Sequence, residues 1–139
     1  MATYNKINQF VEDIGKGVHN LATGVLTLAL TTTANKPTAA STVLAGLTQI
    51  SYTNLSARVP TLTSYVQTSG TAKLILQDLV LTASGTVAAF GAVVLYNDTP
   101  TSPADPLISW WEYGSDVTLL NTETFTVDFD QSGGVLTIA

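Results

Sequence analysis

The single histidine is the first residue to test for chemistry, because a hydrolytic triad needs a nucleophile, an imidazole base and an orienting acid. His19 is the only imidazole in the 139 residues, and no nucleophile-elbow pattern lies near it. It falls where an N-terminal helix is expected to end, and a cation is favoured there by roughly a few tenths of a kcal/mol. The sequence therefore predicts a structural cation at the helix end rather than a catalytic base.

A second candidate lies near the C-terminus. Asp128, Asp130, Ser132 and Gly133 occupy positions one, three, five and six of a calcium-loop pattern. That pattern requires a bidentate glutamate at its twelfth position, where this chain has Ala139. The flanking segments also alternate like strands, whereas a calcium loop joins two helices. We interpret the two aspartates as outward carboxylates before a glycine turn, and we expect no metal site.

Paired carboxylates are a third possibility, because glycoside hydrolysis uses two acids about 5 to 10 Å apart across a cleft. The candidate acids are Glu112, Asp116, Glu123 and Asp128. Charges at strand ends are usually solvated, and no aromatic platform is evident around these four in the sequence. The absence of cysteine also excludes thiolate catalysis and cysteine-ligated metal centres. We expect a protein that is not an enzyme and that needs no cofactor.

Two adjacent tryptophans, Trp110 and Trp111, are better suited to binding than to catalysis. Neighbouring side chains of a strand point to opposite faces, so one indole can be core while the other faces outward. An exposed tryptophan is a common anchor at protein interfaces, although a second layer of structure could equally cover it.

The N-terminal segment has the apolar periodicity of a helix. Apolar residues recur there at spacings of three and four, which places them on one helix face. They are Tyr4, Ile7, Val11, Ile14, Val18 and Leu21. We expect a helix from Tyr4 to Gly17, with Thr3 as its N-cap and an end near Asn20.

This apolar stripe either packs on the protein's own sheet or projects toward a neighbouring molecule. The second alternative makes part of the stripe, together with one of the two tryptophans, an interface. The candidate interface residues are Ile7, Val11, Ile14, Val18, Trp110 and Trp111.

From Val25 onward the apolar period changes from 3.6 to 2, which is typical of strands. The first of them alternates leucines with small or polar residues over 26–31, and this predicts a half-buried strand. Ser69-Gly70 between two apolar runs predicts a hairpin. In the following strand, the apolar side chains change from even-numbered positions, Leu74 and Leu76, to odd-numbered positions, Leu79 and Leu81. This change of face predicts a β-bulge near Gln77 and Asp78.

About eight strands separated by turns, with no helices between them, favour an antiparallel β-sandwich or jelly roll with one N-terminal amphipathic helix. A length of 139 residues is typical of a single domain. We expect residues 1–24 to form the helix and its connection, and residues 25–139 to form the β-sandwich.

Charge limits the classes of partner. A net charge of -5 argues against nucleic acid, which is bound through clustered lysine and arginine. No secretion signal or membrane-spanning run is evident, so we expect no membrane partner. Only 11% of the residues are charged, which fits a protein packed among copies of itself or against a larger shell.

Several segments resemble a group of small virion proteins of tailed bacteriophages, and the likeness spans most of the chain. These segments are ATYNK (2–6), FVE (10–12), VHNL (18–21), LTLALT (26–31), VVLYND (93–98) and ETFTVDF (123–129). The resemblance is one of texture and segment order, and it rests on no catalytic motif.

The resemblance implies a capsid cement or decoration protein, which is a small and often jelly-roll module bound outside the phage head as a dimer or trimer. Such a protein clamps neighbouring major capsid subunits on the virion surface, and no catalytic residues carry over. Two alternatives stay open. One is a tail, baseplate or head-to-tail component, and the other is a carbohydrate-binding module for host attachment that uses Trp110 or Trp111, Tyr113 and nearby carboxylates.

Overall fold

The change of apolar period near Val25 separates the α-helix from most of the strands. The structure is a computed structural model, and it describes residues 2–139. The helix α1 spans Asn8–Gly15. The strands are β1 (Asn5–Lys6), β2 (Leu26–Thr31), β3 (Leu62–Thr68), β4 (Thr71–Leu76), β5 (Leu79–Thr82), β6 (Phe90–Asn97), β7 (Leu107–Val117), β8 (Thr124–Val127) and β9 (Leu136–Ile138). The predicted mainly β class with antiparallel sheets and one α-helix is confirmed.

The strands form three antiparallel sheets. The largest has the order β1-β7-β6-β2, the second has the order β3-β4-β9, and the third pairs β5 with β8. One cluster of buried side chains draws on α1 and on all three sheets, so the sheets share their core.

The strand β2 is buried on both faces, and the prediction of a half-buried strand is wrong. A loop covers its free edge: the Leu28 N–H donates to the Arg58 carbonyl at 2.9 Å, and the Leu30 N–H donates to the Tyr52 hydroxyl at 3.0 Å. The Arg58 guanidinium lies 3.5 Å from the centre of the Tyr52 ring. The alternation of residues along a strand does not reveal that a loop covers its edge, because the loop residues are distant in sequence.

The helix is shorter than the sequence predicted. It begins at Asn8 with Ile7 rather than Thr3 as N-cap, and the preceding residues pair with β7 as β1. Those ladder bonds supply partners for backbone groups that would stay unpaired in the first turn of a helix. Gly17 has a positive φ of 72° and turns the chain, so Val18 lies beyond the helix end.

The parity change after β4 marks a change of sheet, and the predicted bulge at Gln77 and Asp78 is wrong. β4 pairs with β3 and β9, whereas β5 pairs with β8. The Asp78 carboxylate accepts a 2.9 Å hydrogen bond from the N–H of Phe129 at this crossing. The hairpin at Ser69-Gly70 is confirmed, and both residues have the positive φ that a type I′ turn requires.

With eight residues, α1 is too short to cross a bilayer, and no other helix within residues 2–139 has the length and apolarity to do so.

Candidate functional site

A groove of about 780 Å³ opens beside β7 and β8, and its size is within the range of ligand-binding clefts. Aromatic side chains from the N-terminal segment, from β7, and from β8 and the residues that follow it line the groove. They are Tyr4, Trp111, Tyr113, Phe125 and Phe129.

Strand geometry positions these rings. Trp110 is 7% exposed and belongs to the core, whereas Trp111 is half-buried and lies in the groove wall. The alternation of β8 continues past its end, so that Phe125, Val127 and Phe129 point inward between exposed polar residues. The groove therefore forms where one face of β7 meets the apolar face of the β8 segment.

The rings contact one another edge to face. Trp111 has ring centroids at 5.7 Å from Tyr4 and 5.9 Å from Phe129, with interplanar angles of 71° and 72°. Tyr113 and Phe125 meet at 5.5 Å and 74°. These distances are those of favourable aromatic pairs, which stabilise the groove wall.

Three acidic residues, Glu112, Asp128 and Asp130, are among the residues around the same groove, and no basic residue of the described part of the chain is among them. The Lys36 ammonium donates to Glu112 at 2.7 Å, and this hydrogen bond lowers the pKa of the Glu112 carboxyl. The N–H groups of Gly133 and Ser132 donate to Asp130 at 2.7 and 2.9 Å and lower the pKa of its carboxyl. The groove is therefore both aromatic and acidic.

A shallower extension of about 330 Å³ continues from this groove, and the two share Tyr4, Gly134 and Val135. Lys6 of β1, Phe10 of α1 and the β9 residues Leu136 and Thr137 line the extension. Both β1 and β9 are the last strands of their sheets, so the extension lies between two sheet edges.

The structure distributes the six candidate interface residues over different environments. Ile7 and Trp110 are buried in the core, so their side chains are not accessible to a partner. Val11 is 56% exposed, while Ile14, Val18 and Trp111 are partly buried. The buried face of α1 contains Phe10 and Asp13 in place of Val11, so the helix packs with a different face than the predicted stripe.

His19 is a core residue, and the prediction of a structural cation at the helix end is wrong. It is 8% exposed, its ring centroid lies 5.1 Å from that of Phe10, and its Nδ1 lies 3.4 Å from Nδ2 of Asn97. Burial lowers the pKa of the His19 imidazole, and the nearby Asp13 charge opposes this effect. The neutral imidazole is therefore the favoured form.

The remaining candidate acids have structural partners. Asp116 accepts hydrogen bonds from the N–H and the hydroxyl of Thr33, and Glu123 accepts one from the N–H of Leu120. Glu112 and Asp128 are the two of the four that line the groove. Within residues 2–139, no cluster of histidine and acidic side chains has the arrangement of a metal site.

Sequence reasoning missed Tyr4 and Phe129 as groove residues. They come from opposite ends of the chain, and both contact Trp111. The alternation of Phe125, Val127 and Phe129 indicated one shared face, but no local pattern placed that face against the second tryptophan.

Together, these features define the class: a mainly β protein of antiparallel sheets with an aromatic, acidic groove beside its longest strand. The chain matches no protein-family model, and comparisons with curated proteins and with solved structures found no significant similarity.

Proposed function

We propose that this protein is a structural component of a phage virion, bound to the outside of the head, where it cements neighbouring major capsid subunits. One observation carries the proposal: an open aromatic groove continues into a surface that reaches α1. An uncovered apolar surface of this kind is typical of a site that another protein occupies. The resemblance to small phage virion proteins supports the same conclusion.

The mechanism is multivalent clamping by a dimer or trimer of the protein. Each protomer contributes one weak contact, and linked protomers gain avidity because the second contact forms at a high effective concentration. Val11, 56% exposed on α1, is the candidate anchor on the helix, and Trp111 is the candidate anchor in the groove. A clamp of this kind needs no catalytic group.

The finer fold that we propose is a β-sandwich of the jelly-roll type within a single domain. Support comes from β2 and β6, whose residues are all buried, so that both faces of the largest sheet are covered along these two strands. Strands that are apolar on both faces are expected where layers pack on each side of a sheet.

Binding to particles of the phage that encodes the chain tests the function. We expect purified protein to rebind to particles stripped of it, and Val11→Asp to lower the bound copy number about tenfold, because a charge at an apolar contact must be desolvated. Val66→Asp is the matched control, since Val66 is 62% exposed on β3 and does not line the groove. Both variants should keep the wild-type melting temperature within a few degrees.

Wild-type protein that is absent from particles and does not rebind to them would contradict the proposal. Copy number distinguishes the head from the tail, because a cement protein is present in hundreds of copies and a ring component in few. Cryo-electron microscopy of the particle gives both the copy number and the position.

Carbohydrate binding is a second candidate function. It is favoured by the presence of Trp111 and Tyr113 in one groove with Glu112 and Asp128, since aromatic rings and carboxylates are both suited to contact sugars. A glycan panel tests this candidate directly, and binding lost in Tyr113→Ala would support it.

A further inference from the structure

We propose that the groove binds an extended, basic segment of a partner polypeptide, which lies along the free edge of β9. This inference rests on the proposed function, because it names how a capsid subunit is held. Three features of the groove carry it: its position between sheet edges, its aromatic wall and its charge.

The first feature is the pair of sheet edges. Within residues 2–139, β9 pairs only with β4 and β1 pairs only with β7, so each strand has a free edge. The shallow part of the groove is lined from both sides, by Lys6 of β1 and by Leu136 and Thr137 of β9. An edge strand presents backbone N–H and C=O groups that an extended peptide can pair with.

The second feature is the row of apolar side chains along this path. Tyr4 lies where the shallow and deep parts meet, and Trp111 and Phe125 lie in the deep part. An extended segment projects every second side chain to the same face. Alternate apolar residues of the segment would therefore contact successive aromatic rings.

The third feature is the sign of the charge. Asp128 and Asp130 lie along the deep part, whereas the charge of Glu112 is already paired with the Lys36 ammonium at 2.7 Å. Tyr113 is 60% exposed beside them, and its ring face is suited to a cation. A second copy of this chain fits poorly, because each copy carries a net charge of -5.

Edge-to-face packing favours a peptide over a saccharide. A sugar stacks on an open, flat ring face, but Trp111 packs edge to face against both Tyr4 and Phe129, at interplanar angles of 71° and 72°. Side chains of a peptide can insert between such rings, and the sheet edge adds backbone hydrogen bonds that a sugar would not form.

Titration of the ¹⁵N-labelled protein with two designed peptides tests the inference. The probes are acetyl-KVKVKV-amide and acetyl-EVEVEV-amide, with chitohexaose as a saccharide probe. We expect the lysine peptide to shift the amide signals of residues 134–138 and to slow their hydrogen exchange. The glutamate peptide should bind at least about tenfold more weakly because of like-charge repulsion, and chitohexaose should leave these signals unchanged.

The double variant Asp128→Asn/Asp130→Asn removes two charges beside the groove and nearly preserves the side-chain shapes. We expect it to weaken lysine-peptide binding about tenfold and to flatten its salt dependence, because exposed charges are screened by salt. Asp98→Asn is the control, since Asp98 is exposed in a loop and does not line the groove. Thermal unfolding of each variant verifies that the fold is intact.

Equal binding of the two peptides, no shift at residues 134–138, or shifts with chitohexaose alone would overturn the inference. Rebinding to stripped particles separates this failure from failure of the proposed function. If wild type rebinds and the double variant rebinds equally well, the groove assignment falls and the virion function stands. If wild type does not rebind, the virion function falls.

Discussion

Two polar side chains, those of Asp13 and His19, are buried in the core beneath α1. Asp13 is 3% exposed, and its Oδ1 accepts a 3.0 Å hydrogen bond from Gln9. Within residues 2–139, neither Oδ2 of Asp13 nor Nε2 of His19 has a hydrogen-bond partner. Buried polar atoms without partners destabilise a fold, so stability is sensitive to the protonation of His19.

We expect the melting temperature to fall as the pH drops from 7.5 to 5.5. Burial lowers the pKa of His19 below its ordinary value, so below about pH 6.5 the unfolded chain binds more protons than the folded one. Stability is therefore full above that pH and is lost as the pH falls toward the folded pKa. Carboxyl groups contribute at lower pH, because their unfolded pKa values are about 4.

Calorimetry at three pH values checks this prediction. His19→Gln should flatten the dependence between pH 7.5 and 5.5, since His19 is the only histidine in the chain. An equally steep fall in the variant would assign the effect to other groups.

At the scale of elements, Gly91 of β6 lets a 3₁₀ turn at Thr33–Asn35 pack closely on the largest sheet. Asp116 of β7 ties this turn down by accepting 2.7 and 2.6 Å hydrogen bonds from the N–H and hydroxyl of Thr33. These bonds lower the pKa of the Asp116 carboxyl. A Cβ atom at Gly91 would overlap both Thr33 Oγ1 and Asp116 Oδ1, and it would lie 3.0 Å from the Ser115 carbonyl oxygen.

We expect Gly91→Ala to destabilise the protein by about 1 to 3 kcal/mol, because the extra methyl group overpacks a tight contact. Gly46→Ala is the matched control, since the space around Gly46 is open to a Cβ atom, and its effect should stay within about 0.5 kcal/mol. Urea unfolding of the three proteins measures the difference. Equal midpoints for the two variants would contradict the close packing described here.

At the scale of the whole molecule, large apolar side chains remain exposed on several elements, while a net charge of -5 makes copies repel one another. These side chains are Val11, Val25, Val59, Val66, Val80, Tyr113 and Leu120. Their attraction is short-ranged and needs no charge, whereas the repulsion between copies is electrostatic and weakens in salt.

We therefore expect self-association to increase several-fold between 20 mM and 500 mM sodium chloride at pH 7, as repulsion is screened over a Debye length that falls from about 20 Å to about 4 Å. Sedimentation velocity over a range of protein concentrations measures this. Val11→Asp should reduce the association, since Val11 is 56% exposed. A protein that stays monomeric at both salt concentrations would contradict this prediction and the proposed oligomer.

Local sequence patterns predicted which helices and strands form more accurately than they predicted where each one begins and ends. The strand over 26–31 and the hairpin at Ser69-Gly70 followed from alternation and turn residues, which act within a few positions. The helix start was wrong, because pairing of Asn5 with Trp110 takes the first residues into a sheet. The predicted bulge near Asp78 was wrong for a related reason. Apolar residues change from one face to the other both where a strand bulges and where the chain passes from one sheet to the next.

By itself, the sequence determined the mainly β class, the N-terminal helix and the opposite orientation of two neighbouring indoles, because each depends on a backbone period. Only the tertiary structure decided that Trp110 is core and that Trp111 joins Tyr4 and Phe129 in an acidic groove. The physical reason is that burial and ring contact depend on which distant segments meet. Those meetings result from the packing of three sheets around one core and not from the spacing of residues along any strand.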